Sequence, residues 1–129
     1  MVAILHKELS YQVVGAAMEV HRILGPGFLE TVYQSALAHE LTLRKIPFEQ
    51  FKQLPVTYKD KPVGNYEADI VVNNAIILEL KAANTLHQKH EAQAINYLVA
   101  TGLQLAILLN FGGDSLQHKR LIRTRKTNS

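Results

Sequence analysis

The sequence predicts a layered α/β domain, a mixed β-sheet carrying helices. Three observations lead there. Two stretches of helical periodicity open the chain, a run of strand-like segments follows, and one more helical stretch separates the last two fully apolar strands. A hairpin meander followed by a helical crossover closes into a mixed sheet. A chain of 129 residues suits one domain around one core, here expected over residues 1–122 with a short basic tail at 123–129.

Residues 7–24, KELSYQVVGAAMEVHRIL, place Val13, Val14, Ala17, Met18, Ile23 and Leu24 at helical spacing. Gly25-Pro26-Gly27 ends that helix. A second helix over about 28–45 carries Leu29, Val32, Tyr33, Ala36, Leu37 and Leu41, and so short a connection makes the two helices neighbours. PFEQFKQLPVTYKD then alternates Phe48, Gln50 and Lys52 against Glu49, Phe51 and Gln53. VGNYEADIVV and AIILELKA are the next strands, the second apolar on both faces and so expected between helices. HQKHEAQAINYLVAT, residues 87–101, is a third helix stopped by Gly102. LQLAILLNF is a buried strand, and SLQHKRLIR reads as a short edge strand.

Composition narrows the possibilities. Hydrophobic residues make up 47% and charged residues 19%, an ordinary globular balance. No apolar run reaches the roughly 20 residues that span a bilayer. The N-terminal MVAILHKELS is too short and too weakly basic for a signal peptide, so a soluble cytoplasmic protein is expected. The absence of cysteine excludes disulfides and thiolate metal sites. The net charge of +3 is uneven, because Lys119, Arg120, Arg123, Arg125 and Lys126 follow the last acidic residue, Asp114. Residues 1–118 hold 9 basic and 11 acidic groups, a net −2. Such a tail suits either a solvated end or contact with a polyanion.

The chemistry concentrates in DIVVNNAIILELK, residues 69–81. Two apolar runs flank Asn73-Asn74, yet Asp69, Glu79 and Lys81 interrupt them. Strand alternation puts Glu79 and Lys81 on one face and Leu78 and Leu80 on the other. A three-residue loop, or a bulge, pairs Val72 with Ile76 and sets Asp69 across from Glu79. A two-residue turn would send the carboxylates to opposite faces. Gathering the polar groups on one side favours the longer loop. Two close carboxylates in apolar surroundings repel, and one would take up a proton unless a cation intervenes. All-oxygen donors suit Mg²⁺ or Mn²⁺, and acid, acid and lysine together suit metal-assisted phosphodiester hydrolysis. The plain alternative is a salt bridge of Lys81 with Glu79 or Asp69, worth about 0–1 kcal/mol if exposed.

Asp69, nine residues, then Glu79-Leu80-Lys81 resembles the D…ExK signature of the PD-(D/E)xK nuclease superfamily, with Ala68 standing where the signature has proline. Gly27-Phe28-Leu29-Glu30-Thr31-Val32-Tyr33 spells G-x-x-E-x-x-Y, the motif of the GxxExxY family generally grouped there. PFEQFKQLPVTYKDKPVG, HEAQAINYLVATG and LLNFG are similar to that family too, so the resemblance spans roughly residues 10 to 122. It implies a restriction-endonuclease-like mixed sheet flanked by helices in α-α-β-β-β-α-β order. It implies Asp69 and Glu79 as metal ligands, Glu30 completing the set, the Leu80 carbonyl as a further donor, and Lys81 as the catalytic lysine. Gln93 and Tyr97 form Q-x-x-x-Y, similar to the superfamily's motif on the following helix; His90 shares their helix face, and the stripe either turns toward Glu79 and Lys81 to contact phosphate or faces solvent as ordinary surface. Gly27 and Tyr33 belong to the remaining motif. The implied partner is nucleic acid, DNA ahead of RNA, with a homodimer as one way to enlarge so small a domain.

Each residue also has a plainer role. Glu30 in a first helical turn is favoured by the helix dipole at about 0.3–1 kcal/mol. Tyr33 can be a packing residue with a bonded hydroxyl. His87 and His90, without a third ligand, are a weak zinc pair. The competing functional readings are a binding or assembly module that keeps the fold without catalysis, and a carboxylate-pair glycosidase, which the absence of tryptophan and the E-x-K lysine both disfavour.

Overall fold

The computed structural model describes residues 6–123. Its elements are α1 (Lys7–Leu24), α2 (Glu30–Leu43), β1 (Phe48–Tyr58), β2 (Lys61–Val72), β3 (Ile76–Lys81), α3 (Gln88–Thr101), β4 (Leu105–Asn110) and β5 (Gln117–Ile122). The five strands lie in the sheet in sequence order. Only β3 and β4 run parallel, and α3 is the crossover between them. The remaining neighbours are antiparallel. This is the expected mixed α/β sheet, with β5 as the edge strand. Most of the tail, including Arg125 and Lys126, lies outside the described residues.

Helices cover both faces. Val13, Ala17 and Val20 of α1 and Leu37 and Leu41 of α2 pack on Ile70, Val72, Ile76, Leu78, Leu80, Ile107 and Leu109. Ala94 and Leu98 of α3 pack on Val71, Ile77, Ala106 and Leu108 of the opposite face. β3 and β4 are thus enclosed on both sides, which is why their sequences are nearly continuous apolar runs. Among the described residues no helix is long and apolar enough to cross a membrane.

α2 is shorter than its periodicity suggests. Gly27 takes φ +111° and Leu29 is extended, so helical geometry starts only at Glu30. At the other end Lys45 is left-handed at φ +60°, where a glycine would have announced the stop.

The β2–β3 hairpin has the three-residue loop. Val72 pairs with Ile76, Val71 with Ile77 and Ile70 with Leu78. Asn73 and Asn74 are both left-handed, at φ +51° and +53°, a conformation asparagine tolerates better than most residues. The Asn73 N–H is anchored to the Pro47 carbonyl at 2.9 Å.

The regular alternation expected along β1 does not hold. Phe48 packs toward the α1–α2 face, whereas Leu54 and Val56 pack toward α3. β2 does the same: Tyr66 and Ala68 face α3, then Ile70 and Val72 face α1–α2. Both strands therefore slip by one residue at the same level. Gln50 pairs with Ile70 and Lys52 with Ala68, leaving Phe51 and Asp69 between them without a regular pair. Phe51 takes φ +54° to make the slip. Because the slips match, the register on either side is unchanged.

Candidate active site

Glu79 and Lys81 follow Ile77 on the α3 side of β3, and Leu80 points into the core beneath α1 and α2. Glu79 is largely buried, and its Oε1 is a fully enclosed oxygen with no hydrogen-bond partner. Burial pushes its carboxyl up to about 7; the Lys81 charge opposes the rise and the Glu30 charge adds to it.

Asp69 lies at the level where the β2–β3 ladder stops. Its carboxylate replaces the missing backbone partner, with Oδ2 accepting the Leu80 N–H at 2.9 Å. This ties Asp69 to the residue between Glu79 and Lys81. Burial raises its carboxyl above the ordinary range; the Leu80 N–H and Lys81 hold the rise back, and Glu30 and Glu67 reinforce it. The Asp69 carbonyl accepts from Gln34 Nε2 at 2.9 Å. Gln34, on α2 and buried, thereby holds the slipped segment that carries the carboxylate.

Glu30 is the first residue of α2 and is exposed. Its charge acts on Asp69, Glu79 and His90. The motif residues around it are structural. Tyr33 is fully buried, its hydroxyl donates to the Gly25 carbonyl at 2.6 Å and accepts from the Phe28 N–H at 3.1 Å. Its ring stacks on Phe111 with centroids 4.7 Å apart. Gly27 supplies the positive φ of the loop that Tyr33 fastens. Glycine and tyrosine of G-x-x-E-x-x-Y thus fix the backbone on which the glutamate stands.

The α3 stripe divides. His90 lies close enough to Lys81 to feel its charge, and burial, Lys81 and His87 lower its pKa. Its Nδ1 accepts the His87 N–H at 3.3 Å, capping the helix start. Gln93 is exposed. Tyr97 stacks on Tyr66 with centroids 3.6 Å apart and packs with the core beneath α3.

Two supporting residues carry no charge and escape a search for acids and bases. Asn110 ends β4 beside Lys81 and is 0% exposed. Its Oδ1 accepts from the Ala83 N–H at 2.9 Å and the Gly112 N–H at 3.2 Å. Its Nδ2 donates to the Ala83 carbonyl at 2.9 Å and to Gln117 Oε1 at 2.8 Å. Gly112 lies so close to this segment that a Cβ would fall 2.6 Å from the Ala83 nitrogen and 2.7 Å from the Ala82 carbonyl carbon. LLNFG is therefore a clamp on the chain leaving Lys81. The signal in the sequence was an amide and two glycines at the end of an otherwise apolar strand.

A carboxylate pair joined through the E-x-K backbone, with a lysine on the same strand face, is the arrangement expected of the resemblance. The family model of the PD-(D/E)XK nuclease superfamily matches residues 7–123. The chain belongs to the PD-(D/E)XK nuclease superfamily. Neither a curated protein nor a solved structure matches it. Nucleases of this superfamily generally use divalent metals. The donor set here suits such an ion: an orphaned, buried Glu79 oxygen and an Asp69 carboxylate, both resisting ionisation without a cation. Among the described residues, however, no three His, Asp or Glu side chains are gathered as a ready-made metal site. Glu30 contributes charge rather than a third converging oxygen.

Proposed function

We propose that this superfamily member is a Mg²⁺- or Mn²⁺-dependent nuclease hydrolysing phosphodiester bonds in DNA or RNA. The observation that carries the reading is the unpartnered, buried Glu79 oxygen, under the charge of Lys81, with Asp69 bonded to the N–H of the intervening Leu80. Leaving a carboxylate so enclosed costs stability, and a cation-binding role accounts for keeping it. Asp69 and Glu79 would hold the ion, with the Leu80 carbonyl as a further oxygen donor and Glu30 adding negative charge nearby. When bound, the ion supplies Lewis acidity toward the phosphoryl oxygen and a hydroxide source near neutral pH. Lys81 orients the attacking water and offsets the charge growing on phosphorus. His90 and Gln93, one turn apart at the start of α3, face the phosphate. Tyr97 keeps that helix on the sheet through Tyr66. The motif at 27–33 supports placement in the GxxExxY group.

Purified protein should degrade DNA or RNA in the presence of Mn²⁺, and Lys81→Ala and Glu79→Ala should not. Cleavage retained in both variants would refute the assignment. The lack of a gathered third ligand favours a second reading, a nucleic-acid-binding or assembly module that has lost catalysis. Calorimetric titration separates the two, because the nuclease must give a Mn²⁺ binding heat that Glu79→Ala removes.

A further inference from the structure

Phe51 is the anomaly closest to the carboxylates that the chemistry leaves unused. It lies on β1 at the level of Asp69 on β2, between the pairs Gln50–Ile70 and Lys52–Ala68. Its φ of +54° belongs to glycine or asparagine, and in a bulky aromatic residue it is an outlier. The phenyl ring is not buried to compensate, since the residue is 53% exposed. A slip in the strand could be made with glycine at lower conformational cost. A strained, solvent-facing aromatic at the level of a half-buried carboxylate points to a ligand for its ring.

The neighbouring surface narrows that ligand. The loop ahead of Glu30 also exposes Phe28, at 47%, and Leu29, at 75%. Glu30 acts electrostatically on Asp69 and Glu79, so this loop borders the same carboxylates. Apolar groups thus flank an acidic centre from two separate elements. A fully paired duplex offers only backbone and groove edges there, whereas an unpaired strand offers base faces. Aromatic rings bind such faces without regard to sequence.

We propose that Phe51 stacks a base of an unpaired strand and sets the position of the phosphate at Asp69 and Glu79, which makes single-stranded or frayed nucleic acid the preferred substrate. This rests on the nuclease reading above. Phe51 is a binding and positioning residue; it takes no part in bond breaking.

The test compares Phe51→Gly, Phe51→Leu and Phe51→Trp in the full chain. Ca²⁺ replaces Mn²⁺ during binding measurements with a fluorescein-labelled oligothymidine, and the Mn²⁺ heat and thermal melt are recorded alongside. Phe51→Gly should melt no lower than wild type, keep the Mn²⁺ heat, and bind the oligomer about 5- to 160-fold more weakly, the range for loss of one stacked base. Phe51→Trp should restore binding, and Phe51→Leu should not. Unchanged oligomer affinity in Phe51→Gly, or full rescue by leucine, overturns the stacking role while cleavage by wild type leaves the nuclease reading intact. Wild type without either Mn²⁺ heat or cleavage overturns both.

Discussion

Glu79→Gln should make the metal-free protein more resistant to rising pH. The unfolded chain carries Glu79 near 4.5, and the folded protein holds it near 7. Below pH 4.5 the carboxyl is protonated in both states and burial costs little. Between the two values the folded protein retains a proton that the unfolded chain releases, so stability falls as pH rises. Above about 7 the folded protein carries the enclosed charge and the whole penalty is present. At about 1.36 kcal/mol per pH unit, the span from 4.5 to about 7 amounts to about 3 kcal/mol. Glutamine has no charge to lose. It leaves a buried amide in place of the carboxyl, which shifts the whole curve but adds no pH dependence. The measured quantity is therefore the difference in unfolding free energy between variant and wild type at pH 8, minus the same difference at pH 4.5, from urea melts in chelator. It should be about 3 kcal/mol in favour of the variant, or roughly 10 °C of relative melting temperature for a domain of this size. Asp69 also titrates above its ordinary range, but it is present in both proteins and cancels. Mn²⁺ added at pH 8 should raise the stability of wild type and leave Glu79→Gln unmoved. Parallel pH profiles for the two proteins would refute the claim that Glu79 is a desolvated carboxyl.

Two further substitutions probe the supports. Gly112→Ala brings a methyl group against main-chain atoms of Ala82 and Ala83 that have no rotamer to change; it should cost at least ~1–3 kcal/mol in a urea melt and lower cleavage, whereas wild-type stability would refute the close approach. Tyr33→Phe keeps the stack on Phe111 but removes the hydroxyl between Gly25 and Phe28; it should cost roughly 1–3 kcal/mol and speed amide exchange at Phe28, and unchanged exchange there would contradict its fastening role.

The hairpin register was legible because a three-residue loop or a bulge gathers Asp69, Glu79 and Lys81 on one side, and the loop is the one found. The apolar runs alone did not decide it, since both of their faces are buried. The slip at Phe51 was not legible, since matched insertions in β1 and β2 cancel in the register and no glycine or asparagine marks the left-handed residue. Gln34 was hidden for another reason. Its partner is a carbonyl 35 positions away, and nothing local distinguishes it from a surface glutamine on a helix. Tyr33 could be assigned to a motif from sequence, but only its bonds to Gly25 and Phe28 reveal that the motif describes a loop and its fastening. The third-helix stripe divides in the structure because helical spacing fixes which residues share a face and says nothing about how far along the sheet each one reaches. His90 meets the field of Lys81, while Tyr97, two turns on, meets Tyr66.

These residues share a physical logic. A dry sheet face bearing Asp69 and Glu79 tends to relieve itself, either by admitting water or by letting the main chain drift so that the carboxylates turn outward. Side-chain packing alone resists such drift poorly at the end of a strand, where ladder hydrogen bonds run out. Here three neutral polar groups bond to main chain instead. Gln34 holds the Asp69 carbonyl, Asn110 holds both polar atoms of Ala83, and Tyr33 holds the loop leading into Glu30. Asp69 itself performs the same service through the Leu80 N–H. The bonds to Asp69, Leu80, Ala83 and Phe28 lie within two residues of a charged group, so the charges are positioned through the backbone. If the acidic centre takes up a cation as proposed, replacing Gln34 or Asn110 by alanine should lower the Mn²⁺ heat although neither side chain is a proposed ligand, and an unchanged heat would contradict this support through the backbone.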